Sequence, residues 1–348
     1  MCADSSEIKG LKRKDLLGIL ELRREEIELI LDTAISFKEI LERPIRVVPY
    51  LRGKTVAFLF FEPSTRTLNS FNLAARRLSC DSVSVSASSS SILKGETLLD
   101  TAKNLEAMKL NFVVVRHSSP GASHILAKNL TSSVINAGDG SHEHPTQALL
   151  DLLTIKEHFA KFEGLKVLIV GDIEHSRVAR SDIWGMKKLG MDVSVCGPPT
   201  LIPRDIEKMG VRVYYNLKEA IEGKDIIYVL RIQKERQAIG LFPSTREYIK
   251  LYSITEEVLE KYAKRDVVIM HPGPVNRGIE IAPSVADGTR SLILPQVTNG
   301  VAIRMACFYL LPGGEGREEG RVKREEGRGM RDEGRERREE GGERRDER

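Results

Sequence analysis

The residues best suited to chemistry in this 348-residue chain stand in the segment Phe58–Ser70, FLFFEPSTRTLNS. An apolar, β-rich run ends at Phe61, a polar turn follows and helical spacing begins, so the polar residues stand at a helix N-terminus. There the backbone N–H groups lack partners within the helix and the helix dipole is positive. Hydroxyls and a guanidinium beside these groups predict a site for a phosphate-like dianion. The alternative is an ordinary helix cap with an exposed arginine. The residues concerned are Ser64, Thr65, Arg66 and Thr67.

A second polar group follows the β-rich runs that end at Val115 and Asn136. Arg116 comes directly after the first run, where an arginine in a cleft would bind anions, although an arginine on a surface turn is commoner. The second run leads into NAGDGSHEHPTQ, whose glycines indicate a tight turn and whose proline suits the first turn of a helix. We therefore expect His144 and Gln147 to face whatever this turn encloses.

A metal site is an alternative for the same turn, because Asp139, His142 and His144 are possible ligands. No further histidine, cysteine or carboxylate cluster stands at metal-ligand spacing, and the four cysteines are far apart and form no CxxC pair. The sequence therefore predicts neither a metal site nor a disulfide framework, and we expect no cofactor.

Short β-rich runs alternate with helical stretches along most of the chain, which is typical of βαβ units around parallel sheets. Nine strand candidates fall into two batches, separated by a helix from about Pro145 to Phe162. Helical spacing also covers Arg13–Leu41 and Gly300–Leu311. The pattern predicts two α/β domains whose polar motifs follow the strand ends, where parallel sheets bind ligands. The strand candidates are Thr55–Phe61, Ser82–Ser86, Phe112–Val115, Val134–Asn136, Lys166–Val170, Asp192–Cys196, Val211–Tyr215, Asp225–Leu230 and Val267–Met270.

Composition limits the class of protein. Apolar residues make up 41% and charged residues 30% of the chain, which suits a globular protein. No run approaches the roughly 18–20 apolar residues needed to cross a bilayer, and the N-terminus does not look like a signal peptide, so we expect a cytoplasmic protein without membrane partners. The net charge is only +4 and aromatics are 5% of residues, which argues against nucleic-acid binding.

Five motifs resemble those of the aspartate/ornithine carbamoyltransferase superfamily, and more closely those of its aspartate-specific catalytic chains. The resemblance runs from about residue 10 to residue 311. It implies transfer of a carbamoyl group from carbamoyl phosphate to L-aspartate, giving N-carbamoyl-L-aspartate and phosphate, the committed step of pyrimidine synthesis. It also implies a homotrimer with active sites shared between subunits, and a possible regulatory chain or dihydroorotase partner. The motifs are Phe61–Thr67, Lys94–Thr97, Arg116-His117, His144–Gln147 and His271–Pro274.

The resemblance also assigns roles to residues. Carbamoyl phosphate would be bound by Ser64, Thr65, Arg66, Thr67, Arg116, His144, Gln147, Pro272, Gly273 and Pro274. L-Aspartate would be bound by Ser90, Lys94, Arg177, Arg231 and Gln233. Catalysis would depend on Arg66, Thr67, Arg116, His144 and Lys94, with Thr67, Arg116 and a protonated or hydrogen-bond-donating His144 stabilising the developing oxyanion.

The resemblance further implies a fold of two doubly wound parallel-sheet domains joined by long helices, with the C-terminal helix returning to the first domain. Residues 8–146 with 298–312 would form a carbamoyl phosphate-binding domain, and residues 147–297 an aspartate-binding domain. The Gly/Arg/Glu-rich tail, 313–348, cannot bury a core and is predicted to be disordered. Leu68 stands where the superfamily usually has a second arginine, and its apolar neighbours predict that it packs inward.

Two other functions remain open at this point. A carbamoyltransferase for another amine, such as ornithine, would share the first motifs. However, ornithine enzymes resemble one another in a cysteine where this chain has Pro272, and in a Ser-Met-Gly loop that is missing here. A regulator that binds a nucleotide or phosphometabolite is a different class, but the chain has neither a G-x-G-x-x-G nor a P-loop motif.

Overall fold

The computed structural model describes residues 10–86, 96–233 and 244–313. Its first sheet has four parallel strands in the order β2-β1-β3-β4. The strands are β1 (Thr55–Phe60), β2 (Asp81–Ser86), β3 (Phe112–His117) and β4 (Ser133–Asp139). The helices around them are α1 (Arg24–Leu41), α2 (Thr65–Arg77), α3 (Leu98–Glu106) and α4 (Ala122–Asn129).

The second sheet has five parallel strands in the order β7-β6-β5-β8-β9. Its strands are β5 (Lys166–Val170), β6 (Asp192–Cys196), β7 (Arg212–Tyr214), β8 (Ile226–Val229) and β9 (Val268–Met270). The helices around it are α6 (Arg177–Lys188), α7 (Leu217–Ile221), α8 (Thr245–Tyr252), α9 (Glu256–Tyr262) and α10 (Pro283–Ala286). Two further helices connect the domains: α5 (Pro145–Phe159) and α11 (Ile293–Leu310). None of the helices within the described ranges is long and apolar enough to cross a membrane.

Both sheets are covered by helices on both faces, which explains why their strands read as continuous apolar runs. In β1, Phe58 packs into a core beneath α2 and α11, whereas Leu59 packs into a second core beneath α3 and α4. The first of these cores continues through α5 and α6 to one face of the second sheet, so a single apolar core joins the two domains.

The C-terminal helix α11 returns to the first domain, as predicted. Phe308 lies in edge contact with Phe71 of α2 and Phe112 of β3, with ring centroids 5.8 Å and 5.4 Å apart. Leu68 of α2 also packs against this core, which confirms the prediction that it faces inward.

The expected helix over Arg13–Leu41 is wrong in its first part, because the helix begins at Arg24. The segment before it runs alongside β4: the Leu16 N–H donates to Val134 O and the Leu16 carbonyl accepts from Asn136 N, both at 2.9 Å. Leu16 and Leu17 are buried in different cores. Burial on two sides of an extended segment therefore produced apolar spacing that imitates a helix.

Other element boundaries also shift. The last helix begins at Ile293 rather than Gly300, and α5 ends at Phe159 rather than Phe162. Strands β3 and β4 extend past their apolar runs to His117 and Asp139, so Arg116 lies within β3, opposite Phe60 of β1. The polar motifs thus occupy the last strand residues as well as the loops beyond them.

Candidate active site

One cleft of about 1050 Å³ lies where the carboxyl ends of the two sheets face each other. It is lined by every proposed ligand that the structure describes: Ser64, Thr65, Arg66, Thr67, Arg116, His144, Gln147, Arg177, Arg231, Gln233, Pro272, Gly273 and Pro274. The other two predicted ligands, Ser90 and Lys94, lie outside the described residues.

The predicted anion loop forms the N-terminus of α2. Ser64 is the residue that precedes the helix, and its carbonyl accepts the first helical hydrogen bond from Leu68 N at 3.1 Å. Arg66 lies against Gly273 of the second domain, where an added Cβ would come within 2.0 Å of the guanidinium. Because Gly273 also has a φ of +61°, only glycine suits this position. Burial and then the charge of Arg231 lower the pKa of Arg66.

Glu62 joins the two domains across the cleft. Its Oε1 accepts hydrogen bonds from Arg116 of β3, at 3.0 Å, and from Arg177 at the start of α6. The guanidinium of Arg116 also donates to Ala137 O at 3.0 Å. Both guanidinium groups pass so close to Gly138 that a side chain there would meet each at 3.1 Å. One carboxylate therefore holds a cation of each domain at the same place.

His144 precedes α5, and its backbone N–H donates to Ser181 Oγ at 2.9 Å. The imidazole is buried, and its Nδ1 has no hydrogen-bond partner among the residues described. Burial, and then the charges of Arg116, Arg177 and Arg304, lower the pKa of His144 well below its ordinary value. Of the two states considered for this residue, the neutral ring that donates one N–H is the one its surroundings favour.

In the second domain, Asp172 organises the loops after β5 and β8. Its carboxylate accepts from His175 N at 3.2 Å and contacts His175 Nδ1 at 2.8 Å, while Gln233 N lies 3.4 Å from its Oδ2. The Gln233 side-chain amide then donates to His175 O at 3.2 Å. These contacts fix the loops that carry Arg177 and Arg231 next to each other.

The cleft is strongly cationic. Among the described residues that line it, five are arginines and only one, Glu62, is acidic. The arginines are Arg66, Arg116, Arg177, Arg231 and Arg304. Such a site suits ligands that carry phosphate and carboxylate groups, which arginine binds through paired hydrogen bonds.

The three residues considered as metal ligands are not brought together. Asp139 and His142 approach His124 instead of His144, and these three offer atoms within 4.8 Å of one another. Asp139 already accepts from Asn136 Nδ2 at 2.8 Å and from Gly121 N at 2.7 Å. Its carboxylate is thereby engaged in holding the two loops around it.

Sequence reasoning missed several polar residues at or behind the cleft. Glu62 stands inside the first motif, so its place before an anion site was a usable signal. Arg304 was visible as the single cation in an otherwise apolar helix. Asp151 carried no recognisable signal, because a single acid in an apolar helix has many uses. Asp172 stands in a polar loop, where nothing in the sequence distinguished it from Glu174.

Comparison with known proteins agrees with this geometry. Residues 14–157 match the family model described as aspartate/ornithine carbamoyltransferase, carbamoyl-P binding domain, and residues 163–311 match that of the Asp/Orn binding domain. The chain is 62% identical over 310 residues to an aspartate carbamoyltransferase catalytic subunit of Halothermothrix orenii, covering 89% of this chain and 99% of that one. It is 59% identical over 304 residues to the corresponding subunit of Moorella thermoacetica, covering 87% and 99%.

Solved structures give the same result. An aspartate transcarbamoylase from Trypanosoma cruzi, in complex with carbamoyl phosphate and aspartate, superposes with a TM-score of 0.78 at 28% identity, covering 88% of this chain and 98% of that chain. An ornithine carbamoyltransferase from Pyrococcus furiosus superposes with a TM-score of 0.77 at 30% identity, covering 88% and 99%. The resemblance inferred from the motifs is confirmed, and this chain belongs to the aspartate/ornithine carbamoyltransferase family.

Proposed function

We propose that this chain transfers the carbamoyl group of carbamoyl phosphate to the amine of L-aspartate, giving N-carbamoyl-L-aspartate and phosphate. The observation that carries the proposal is the convergence of arginines from both domains on one cleft beside the N-terminus of α2. Relatives about 60% identical over most of the chain bear the name of this enzyme.

The donor site lies on the first domain. The N-terminus of α2, with Ser64, Thr65, Arg66 and Thr67, offers free N–H groups, hydroxyls and a guanidinium to the phosphate. Arg116 and His144 would donate to the carbamoyl oxygen. Gln147, with the backbone carbonyl of Pro272, would accept from the carbamoyl NH2, and the adjoining Gly273 and Pro274 complete the wall.

The acceptor site lies mainly on the second domain. The two carboxylates of aspartate would pair with Arg177 and Arg231. The side-chain amide nitrogen of Gln233 already donates to His175 O, so its amide oxygen would accept from the amine of aspartate. Ser90 and Lys94 of a neighbouring subunit would complete the site. This division corresponds to domains of 8–146 with 298–312 and of 147–297.

The reaction needs no covalent enzyme intermediate. The aspartate amine attacks the carbamoyl carbon, negative charge develops on the carbonyl oxygen, and the C–O bond to phosphate breaks as the amine loses a proton to the departing phosphate. Thr67, Arg116 and a neutral His144 stabilise the developing oxyanion, so that catalysis comes from positioning and electrostatics. No residue has to change its charge.

Ornithine is the competing acceptor, because the structure of an ornithine carbamoyltransferase superposes on this chain nearly as well as that of an aspartate transcarbamoylase. Its cationic side chain would approach Arg177 and Arg231, and like charges in a buried site oppose binding. A dicarboxylate experiences attraction at the same place, which favours aspartate.

The test is to assay the purified full chain with carbamoyl phosphate and either L-aspartate or L-ornithine. We expect turnover with aspartate and little or none with ornithine. Arg231→Ala should raise KM for aspartate by about 100-fold, through loss of a charged hydrogen-bond pair, while carbamoyl phosphate binding changes little. Arg265→Ala, which removes an exposed arginine that does not line the cleft, is the matched control. Faster turnover of ornithine than of aspartate would reject the proposal.

The remaining expectations rest on the resemblance, apart from the cytoplasmic location, which is expected because no run of the sequence is apolar enough to cross a bilayer. These are a homotrimer with shared sites, a cytoplasmic location, a place in pyrimidine synthesis, and a regulatory chain or dihydroorotase as a further partner. Sizing the purified protein alone and in cell extract tests the assembly: a mass of one subunit in both would count against it.

A further inference from the structure

A buried polar cluster lies directly behind the cleft, between the two domains. It consists of Asp151 of α5, Asp182 of α6, Tyr228 of β8 and Gln296 of α11, each at most 2% exposed. Four polar side chains in a core that joins two domains are costly unless they are hydrogen-bonded to one another. Their arrangement therefore points to a role beyond packing.

Asp151 is the centre of this cluster, and three side chains donate to it. Tyr228 OH donates to Oδ2 at 2.7 Å, Gln296 Nε2 donates to Oδ1 at 2.6 Å, and Gln147 Nε2 lies 3.2 Å from both oxygens. Burial raises the pKa of Asp151 from 3.8 to about 7, although the hydrogen bonds from Tyr228, Gln296 and Gln147 lower it. Above that pH the carboxylate is ionised and acts only as an acceptor for these three donors.

Asp182 is the second buried acid of this cluster and lies close enough to Asp151 to feel its charge. Neither of its oxygens has a hydrogen-bond partner among the described residues, so little offsets the cost of burying its charge. Burial, and then the nearby charge of Asp151, raise the pKa of Asp182 well above its ordinary value. Asp151, which accepts from Gln147, is therefore the acid of the pair that ionises first, and above about pH 7 it carries the negative charge of the cluster.

The direction of these hydrogen bonds orients groups in the cleft. Since Asp151 accepts from the amide nitrogen of Gln147, the oxygen of that amide is the atom left for a ligand. Gln296 connects Asp151 to the loop around Pro272. Its Oε1 accepts from His271 N at 3.0 Å, and His271 Nδ1 accepts from Gly273 N at 2.8 Å. The same carboxylate thus holds both Gln147 and the backbone around Pro272.

We propose that Asp151 is a positioning residue that fixes two acceptors, the Gln147 oxygen and the Pro272 carbonyl, toward the NH2 of the carbamoyl group. The inference rests on the proposed function and deepens it. Asp151 would let the cleft distinguish a carbamoyl phosphate from a phosphate ion, by demanding two N–H donors at the end opposite the phosphate.

The test compares two ligands on the same protein by calorimetry: phosphonoacetamide, a stable compound with a phosphonate and an amide NH2, and inorganic phosphate. Asp151→Asn replaces one carboxylate oxygen with an NH2 group, which then faces at least one of the three donors. Gln147 or Gln296 must therefore rotate its amide group or lose its hydrogen-bond partner. We expect phosphonoacetamide to bind about tenfold more weakly, the effect of one misdirected buried hydrogen bond, and phosphate to bind within about twofold of the parent. Equal weakening of both ligands would mean a merely structural role and would overturn the inference.

Two further variants sharpen the result. Asp182→Asn is the matched control, since it alters the other buried acid without contacting Gln147 and should leave the ratio of the two affinities unchanged. In a Gln147→Ala background, Asp151→Asn should lower the ratio by much less than in the parent. Full additivity of the two changes would contradict an action of Asp151 through Gln147.

Gln296→Met gives a second measurement if Asp151→Asn does not fold. This variant removes the link from Asp151 to His271 but keeps the carboxylate. We expect the ratio of phosphonoacetamide affinity to phosphate affinity to fall by about threefold, because only one of the two acceptors, the Pro272 carbonyl, is disturbed. An unchanged ratio would overturn the inference. Failure of the proposed function would look different, because the parent itself would then neither prefer phosphonoacetamide to phosphate nor carbamoylate aspartate.

Discussion

At the scale of single residues, the cleft brings several arginines close together, and anionic ligands would offset their mutual repulsion. Burial and then the charge of Arg231 lower the pKa of Arg66, and Arg116 and Arg177 share one carboxylate. Such crowding of like charges is costly in a partly buried site. A phosphate dianion together with a dicarboxylate would neutralise it, so binding energy is available from charge pairing as well as from hydrogen bonds.

His144 gives a prediction at this scale. Because its ring is held neutral, its contribution should be one N–H aimed at the developing oxyanion. His144→Ala should lower kcat about 100-fold with a smaller change in KM, the effect of losing one such donor. His144→Gln keeps an N–H near the same place and should retain more activity, as steady-state assays would reveal.

The pH profile checks the protonation state behind that prediction. The pKa of His144 lies well below its ordinary value, so between about pH 6 and 8 the ring stays neutral and wild type and His144→Gln should have profiles of the same shape. A limb near pH 6.5 that disappears in the variant would contradict a neutral His144. His142→Ala, which alters a nearby histidine that does not line the cleft, serves as the control for nonspecific damage.

At the scale of elements, the start of α1 depends on one buried acid. Glu26 accepts from Arg23 N at 2.9 Å, which satisfies a backbone donor at the helix N-terminus, and from Arg13 Nε and Nη2, both at 3.0 Å. Burial alone would raise the pKa of Glu26, but these hydrogen bonds outweigh it and lower the pKa from 4.5 to about 2. The acid thereby ties the extended segment along β4 to the helix that follows it.

Glu26→Gln should lower the free energy of unfolding by about 2 kcal/mol at pH 7, the value of a charged hydrogen-bond pair. Since the folded pKa is the lower one, this stabilisation is present above pH 4.5 and is lost as the pH falls toward 2. Urea denaturation at a series of pH values should therefore find a difference between wild type and variant that shrinks below pH 4.5. The exposed Glu25→Gln, one residue earlier, should change stability little; a gap that stays constant down to pH 3 would contradict the pKa argument.

At the scale of the whole molecule, the two domains place their strand ends against each other and share a core. Arg66 of the first domain packs on Gly273 of the second, and α11 spans both by carrying Gln296 beside the cleft and Phe308 in the core of the first sheet. The site therefore exists only when both domains are docked. Its last two predicted ligands, Ser90 and Lys94, would come from another subunit.

Shared sites predict complementation between inactive variants. Arg66→Ala and Lys94→Ala should each abolish activity, because one would remove the proposed phosphate ligand and the other the cation proposed to come from the neighbouring subunit. After mixing under conditions of subunit exchange, random trimers should regain about a quarter of the parental activity, since one site in four combines the two intact residues. The measurement is the activity of the mixture against time.

Mixing each variant with itself is the control for recovery by refolding. Exchange should be followed separately, by an affinity tag on one variant. Proven exchange without any return of activity would mean that Arg66 and Lys94 serve the same subunit's site.

Much of the fold could be predicted from local sequence patterns, because the predicted strands are present in the two parallel sheets. Apolar runs of β-branched residues predicted both parallel sheets, because strands buried on both faces leave no polar alternation to confuse the pattern. The same pattern failed where burial on two sides imitated a helix, at Leu16 and Leu17. The anion loop and the turn before α5 were predictable because helix N-termini have specific residue requirements.

The sequence by itself determined the order of strands and helices and which polar motifs stand near the strand ends, and so which ligands the cleft could have. Only the tertiary structure decided how they are coupled: Glu62 between Arg116 and Arg177, and Gln296 against Asp151. Glu62 and Arg177 lie 115 positions apart and in different domains, and Asp151 and Gln296 lie 145 positions apart. Local preferences specify an element because they act over a few residues, whereas a charge network depends on how whole elements pack, and no short stretch of sequence records that.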